Sequence, residues 1–436
     1  MGLLSFLKRL LFGAPASNDV PARPKPSNDP ASRPATPPAS PPSTDGTATK
    51  KRVRLTPMRR QGPRERGQPA RETARPPYPY AFPTYGGKFL DLSDGTDFER
   101  LRQFGLPELV YPGHLAEWLQ LPLGHVAWLT YRFCDGNRPQ TAGQAHYHFH
   151  WVRKKSGGHR LIEAPKSRLR RVQDQILREI LDRVPSHPAA HGFVRGRSIV
   201  TNAEPHVGHK FVFKLDLENF YPSVRYSRVV AIFRSLGYSR EIAIWLARLT
   251  TSLIPTDLPT PGQRPGMLYA YFGRHLPQGA STSPAIANLS ALGLDIRLSG
   301  LANAYGCTYT RYADDLTLSG PGKAAGALRE LIPLSEQIVR SERFHLHPVK
   351  RRILRRGQRM RVTGVVVNDK VNIARGDFDR LKAILTNCIR TGPEAQNREG
   401  LPAFSDHLRG RIAHITQLNP NRGAKLQALF ARIRWP

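Results

Sequence analysis

Two short alternating runs, Tyr309 to Tyr312 and Leu316 to Leu318, meet at Asp314-Asp315. Alternation of this kind reads as a β-hairpin, here with two adjacent carboxylates at its tip. The chain around it holds 66 Lys/Arg against 33 Asp/Glu, a formal net charge of +33. A paired acid held on rigid strands in such a chain points to a divalent-metal site. Mg²⁺ takes one or two carboxylates and leaves its other positions to water and substrate phosphates. An Asp pair also suits an ordinary turn, bonding to its own backbone. The rest of the sequence has to decide between the two.

The charge bears on that choice. Residues 1–77 carry 15 Lys/Arg and 5 Asp/Glu, a net +10, which leaves +23 for the remainder. The body is therefore basic in its own right, as expected of a protein with a polyanionic partner, most often nucleic acid. The three cysteines, Cys134, Cys307 and Cys388, lie far apart, without disulfide or zinc spacing, which fits a reducing cytoplasm. No apolar run approaches the ~20 residues of a membrane span. Leu3 to Phe12 is apolar but broken by Lys8 and Arg9, and reads as a short amphipathic helix or a frayed end.

Residues 13–83 hold 17 of the 39 prolines among Ser, Thr, Ala and Arg. That composition cannot bury a core and is expected to be disordered. Two basic runs within it, Lys50 to Arg54 and Arg59-Arg60, could touch nucleic acid or only add solubility. Order is expected from about Phe89. Residues 97–132 read as helical pieces broken at Pro107, Pro112 and Pro122. From His146 to Arg153 histidines alternate with Tyr147, Phe149 and Trp151, a strand pattern. His146, His148 and His150 share a face, but without a fourth ligand nearby a polar strand face is expected rather than zinc. A turn at Ser156-Gly-Gly158 and a second strand from His159 follow. Then comes a helix after Ser167 with Leu169, Val172, Ile176 and Ile180 on one face. Its arginines, Arg168, Arg170 and Arg171, suit a phosphate grip or a solvated surface.

Phe211 to Leu217 alternates as a strand with Asp216 near its end. Helices are expected near 228–235 and 241–253. Another runs from Pro284 through Leu289 and Ile296, with Ser283 as its N-cap. After the acidic hairpin come a helix over about 324–340 and a strand from Met360 to Val367, turned by Asn368-Asp369. Three amphipathic helices close the chain. They are marked by Phe378, Leu381, Leu385 and Cys388, by Leu408, Ile412 and Ile415, and by Leu426, Leu429 and Ile433.

Asp216 at a strand end, about 100 residues before the hairpin, can bring a third carboxylate into one sheet. Three carboxylates can hold two Mg²⁺ ions ~4 Å apart. One ion would activate an attacking hydroxyl; the other would stabilise leaving pyrophosphate. Such chemistry is mostly positioning and charge neutralisation. Glu218 and Asp295 fit less well. The chain is already turning at Glu218, and Asp295 is on a helix, where a surface position is expected.

The order of these motifs resembles the palm of reverse transcriptases. It runs from Asp216 with Phe220-Tyr221, through Leu276-Pro-Gln-Gly279 with Ser283-Pro284, to Tyr312-Ala-Asp-Asp315. Asn202-Ala-Glu-Pro-His206 and Val362-Thr-Gly364 further resemble elements of bacterial retron reverse transcriptases. The resemblance spans residue 146 to the C-terminus. It implies an α/β (α+β) right-hand polymerase fold: a disordered Pro/Ser/Arg-rich extension over 1–88, fingers and palm over 89–360, and a helical thumb and RNA-binding region over 361–436. It implies a cognate structured non-coding RNA as template and primer, dNTPs as substrates and an RNA–DNA hybrid as product. Synthesis in the family starts from the 2′-hydroxyl of an internal guanosine and gives branched multicopy single-stranded DNA, commonly in defence against phage beside an effector protein.

By resemblance, Asp216, Asp314 and Asp315 are the metal-binding and catalytic aspartates, with the Leu217 carbonyl as a further ligand for two Mg²⁺ ions. Tyr221 is the aromatic that excludes a nucleotide 2′-hydroxyl; Phe220 reads as core. Gln278 and Gly279 line the incoming nucleotide, Gly279 permitting close backbone approach. Arg160 and Lys166 lie where the fingers grip the triphosphate. Lys350 is the proton donor to pyrophosphate, although Arg351 follows it where the family usually has a small hydroxyl residue. Asn202, His206, Val362, Thr363 and Gly364 are family elements for RNA binding, or for holding a loop together. Arg375, Arg380, Arg409, Arg411, Arg422, Arg432 and Arg434 suit an RNA stem read by shape and backbone. Two other readings remain: a group II intron-like enzyme, for which an endonuclease tail is wanting, and an inert RNA-binding relic, against which the intact acids argue. No ribonuclease H domain is expected, so a host ribonuclease H would trim the template. A bacterial cytoplasmic location is expected.

Overall fold

The computed structural model describes residues 70–131, 138–154, 157–259, 261, 269–347 and 349–435. The expectations for Leu3–Phe12, Lys50–Arg54, Arg59-Arg60, Cys134 and Ser156 lie outside the described residues.

Folded chain begins earlier than Phe89. Strands β1 (Arg71–Thr73) and β2 (Phe82–Pro83) flank β3 (Phe89–Asp91) in an antiparallel sheet. Both fall inside the stretch read as extension. Composition averaged over 13–83 hid a local anchor: Tyr78, Ala81 and Leu92 are buried, and the Leu92 amide donates to the Tyr78 hydroxyl at 2.9 Å. Three short helices follow, α1 (Phe98–Gln103), α2 (Pro112–Trp118) and α3 (Leu123–Leu129). Pro112 opens α2 and Pro122 caps α3, positions where a missing N–H costs nothing.

A hairpin of β4 (Tyr147–Arg153) and β5 (His159–Pro165) leads into α4 (Ser167–Glu179), whose Leu169, Val172 and Ile176 are buried. Next come α5 (Ile199–Ala203), started by a Ser198–Thr201 capping box, and a single turn over Glu204–His206. Strand β6 (Phe211–Asp216) then enters the main sheet, and α6 (Phe220–Ser223), α7 (Tyr226–Ser235) and α8 (Arg240–Thr250) follow it.

The expected long helix from Pro284 to Ile296 is two helices, α9 (Ser283–Ser290) and α10 (Leu292–Ala304), separated at Ala291. Ser283 is the first helical residue of α9; Thr282 holds the cap position without a side-chain bond. Apolar spacing continues across the break, so periodicity could not register it.

The main sheet has the order β7-β8-β6-β9, all antiparallel, with β7 (Thr308–Tyr312), β8 (Asp315–Gly320) and β9 (Arg352–Arg355). Phe211, Phe213, Leu215, Leu316 and Leu318 form its apolar face, all buried. The alternate residues Lys214, Asp216, Asp315, Thr317 and Ser319 share the other face. Helix α11 (Leu328–Ser341) joins β8 to β9.

Met360 to Val367 is not one strand. It folds back as β10 (Arg361–Val362) and β11 (Val365–Val366) through Thr363 and Gly364, whose φ angles are 47° and 87°. Two consecutive left-handed residues make the tight turn that matches strand twist. Folding back buries Met360, Val362, Val365 and Val367 together against Ala203, Val212 and Leu418. The three C-terminal helices match expectation: α12 (Arg375–Thr391), α13 (Phe404–Leu418) and α14 (Pro420–Phe430). They share a core of Leu381, Leu385, Cys388, Leu408, Ile412, Ile415, Leu426 and Ile433. Among the described residues no helix is long and apolar enough to cross a membrane.

Candidate active site

The acids come together through strand register. Asp216 pairs directly with Asp315 across β6 and β8, and Tyr312 pairs with Asp315 across the hairpin. Ala313 takes a left-handed backbone (φ 55°) to turn the tip. The Leu217 amide donates to the Asp314 carbonyl at 2.9 Å, which ties the end of β6 to that tip. The His347 amide donates to the Asp216 carbonyl at 2.8 Å.

Two lysines compensate the carboxylates. Lys350 Nζ lies 2.9 and 3.1 Å from the two Asp216 oxygens, and Lys214 Nζ lies 2.7 Å from Asp315 Oδ2. Lys214 was not anticipated, yet strand parity puts it on the face of Asp216. Burial raises the Asp314 carboxyl above its usual range, and Asp216 adds to the effect. Burial also raises Asp315, against the pull of Lys214. Among the described residues no three His, Cys, Asp or Glu side chains converge as a ready-made metal cluster. The donor set nonetheless suits a hard divalent cation: carboxylates on two adjoining strands and the hairpin tip, two of them raised mainly by burial, with lysine ammonium groups bonded to them.

The hairpin rests on a buried ion pair. Asp295 is not on the surface; it and Arg311 are fully buried, with Nε–Oδ1 2.8 Å and Nη2–Oδ2 2.6 Å. Burial opposes the Arg311 charge, but Asp295 outweighs it and holds the guanidinium protonated. The Tyr309 hydroxyl donates to Asp295 at 2.8 Å. Arg311 Nη1 also donates to Asn288 Oδ1 at 2.9 Å and to the Ala313 carbonyl at 3.2 Å. Asp295 is inward because its partner is on β7, a relation that a helical pattern cannot reveal.

The polar side of the sheet is braced by the two family elements. His206 is buried between the Ser319 hydroxyl (2.5 Å from Nδ1) and the Thr310 hydroxyl (2.7 Å from Nε2). Burial pushes its pKa down to about 3, so it is a neutral cross-brace. The Asn202 carbonyl accepts from Thr310 at 3.4 Å, and its side-chain amide donates to Thr363 Oγ1 at 3.4 Å. Asn202 and Thr363, 161 residues apart in sequence, therefore meet.

The residues expected to face the incoming nucleotide divide. The Gln278 carbonyl accepts from the Glu163 amide at 2.8 Å. Gly279 (φ 136°) lies so close to β5 that a Cβ would meet the Glu163 carbonyl oxygen at 3.0 Å. A fully buried Glu163–His275 pair at 2.9 Å fastens the same segment. Burial raises the Tyr221 hydroxyl, with Asp314 adding and Arg311, then Arg160, opposing. Lys154 was missed. It is lowered by burial and then by Arg160, and it feels Glu218, Lys350 and Asp216. Lys166 Nζ donates to the Gly143 carbonyl at 3.0 Å. His146 is buried rather than on a polar strand face. It stacks on Tyr131 at 4.4 Å and bonds the Trp128 carbonyl at 2.9 Å, while His148 and His150 are exposed. Arg422 is partly occupied in holding the helices, lying over Phe378 and donating to the Ile373 carbonyl at 3.3 Å.

Residues 152–367 match the family model described as Reverse transcriptase (RNA-dependent DNA polymerase). The retron Mx65 reverse transcriptase of Myxococcus xanthus is 39% identical over 347 residues, which covers 78% of this chain and 75% of the relative. The retron Mx162 reverse transcriptase of the same organism is 37% identical, covering 76% and 71%. The retron Ec86 reverse transcriptase of Escherichia coli is 30% identical, covering 77% and 92%.

Proposed function

Because the chain belongs to the retron reverse transcriptases, which are RNA-directed DNA polymerases, we propose that it copies part of a cognate structured RNA into branched multicopy single-stranded DNA. Synthesis starts from an internal guanosine 2′-hydroxyl, and the product serves antiphage defence beside an effector protein. A host ribonuclease H trims the template. The β4–β5 hairpin acts as fingers, the four-stranded sheet as palm and the C-terminal helices as thumb.

The observation that carries the reading is the Asp216–Asp315 register, with the Asp314 carbonyl bonded to the Leu217 amide. Asp216, Asp314, Asp315 and the Leu217 carbonyl would hold two Mg²⁺ ions, whose chemistry there would be to acidify the attacking hydroxyl and offset phosphate charge. Lys350, already on Asp216, swings to the departing pyrophosphate and protonates it. Arg160 and Lys154 draw the triphosphate into the cleft. Tyr221 closes the sugar pocket against a 2′-hydroxyl. Gln278 and Gly279 line the incoming nucleotide, held there by the close seat of Gly279 on β5 and the Gln278–Glu163 bond. Arginines of α12 to α14 hold an RNA stem by its backbone.

Primer extension on an RNA template with dNTPs and Mg²⁺ tests this. Asp314→Asn combined with Asp315→Asn is expected to abolish incorporation while RNA binding survives. Full activity in that variant would overturn the mechanism. Sequencing the nucleic acid that co-purifies with the protein tests the product, for which a branched RNA–DNA species is expected.

A further inference from the structure

The segment from His187 to Arg197 is an irregular strap against the acidic hairpin, held by a series of hydrogen bonds. The Arg311 amide donates to the Ala189 carbonyl and the His191 amide to the Arg311 carbonyl, both at 2.7 Å. Asn288 Nδ2 donates to the Gly192 carbonyl at 3.0 Å. Arg197 Nη1 gathers the carbonyls of His187 at 2.8 Å and Pro188 at 2.9 Å. Gly192 is pressed so closely on the hairpin tip that a Cβ there would stand 2.6 Å from the Ala313 amide nitrogen.

The next residue, Phe193, breaks the pattern. Its backbone is left-handed (φ 59°), a conformation that a bulky side chain adopts only when its surroundings impose it. The residue is 57% exposed. The ring centroid lies 6.5 Å from that of Tyr221 and 6.4 Å from that of Tyr312, tilted by 59° and 40°. Neither neighbour stacks in parallel on it. The fold therefore fixes an aromatic residue beside the tyrosines that flank the acids and leaves it exposed. Strained and over-determined positions of this kind collect at functional sites. A flat, apolar-faced partner that arrives where phosphates are handled is a nucleobase, and every base offers a face for aromatic packing whatever its sequence.

We propose that Phe193, flanked by Tyr221 and Tyr312, is a contact platform for the terminal base pair of the template–primer hybrid. It holds that pair in line with the acids. The platform is sequence-independent, as a polymerase requires. It rests on the polymerase reading above.

The test is primer extension on a defined RNA template with the full chain and its Phe193→Ala, Phe193→Leu and Phe193→Trp variants. A second arm places 2-aminopurine at the templating position. Phe193→Ala is expected to raise the dNTP KM and speed hybrid dissociation on the order of tenfold, the size of one lost base–aromatic contact. It should also brighten 2-aminopurine relative to the wild type. Phe193→Trp restores both readouts and Phe193→Leu does not, which separates stacking from bulk. Should the Ala variant fail to fold, the Leu and Trp pair carries the comparison. An active wild type with an Ala variant of unchanged KM and fluorescence overturns the platform alone; so does full rescue by Leu. A wild type that incorporates no dNTP removes the polymerase reading and the platform with it.

Discussion

Arg311→Met tests whether the buried pair behind the hairpin sets both stability and catalysis. Arg311 and Asp295 have no exposed side-chain surface and make two bonds of 2.6 and 2.8 Å. Removing the guanidinium leaves the Asp295 carboxylate with the Tyr309 hydroxyl and no counter-charge. Breaking a buried pair from one side costs about 3–5 kcal/mol. Domains typically hold ~5–15 kcal/mol in total. The variant should therefore lose a large part of its stability, read as a lower urea midpoint. Replacing both partners, Arg311→Met with Asp295→Leu, removes the orphaned charge and should recover most of that loss. Activity should not recover, because the Ala313 carbonyl and Asn288 Oδ1 lose their donor whatever stands opposite on α10. The double-mutant cycle separates the two effects: coupling in stability, none in kcat. A single variant that loses under ~1 kcal/mol, or a double variant that regains wild-type extension rates, would refute the reasoning.

Gly279→Ala places a methyl group 3.0 Å from the Glu163 carbonyl oxygen at a φ of 136°. Strain of ~1–3 kcal/mol should displace the segment from β5 and raise the dNTP KM roughly tenfold, measured by steady-state extension. His206 gives a pH signature. Its folded pKa of about 3 lies below the ordinary ~6.5 of an unfolded histidine. Its contribution is complete above pH ~6.5 and is lost as pH falls toward 3. Between pH 6.5 and 5 this amounts to about 2 kcal/mol in urea unfolding, and His206→Gln should remove that part of the slope.

The acidic hairpin was legible because its signals are local: alternation, a turn and two carboxylates between Tyr309 and Ser319. Asp216 followed from parity at a strand end. The three C-terminal helices followed from spacing, since each buries a single stripe. What stayed hidden depends on partners distant in sequence. Asp295 reads as a surface acid until Arg311 is placed over it. The bond from Lys166 to the Gly143 carbonyl joins residues 23 apart and leaves no mark in the sequence. The Thr363-Gly364 reversal is masked because apolar residues continue on both sides of it. Phe193 carries no periodic signal at all; only its backbone sign and its exposure mark it.

The short stretch from Ile199 to His206 touches three parts of the molecule at once. His206 grips both strands of the acidic hairpin, Asn202 reaches Thr363 in the β10–β11 turn, and Ala203 shares a core with Leu418 at the end of α13. It works as an axle. Asn202 bonds Thr363 in that turn and, through its backbone carbonyl, Thr310 on the strand that leads to Asp314. The C-terminal core and the tip that carries the acids thus share one bearing.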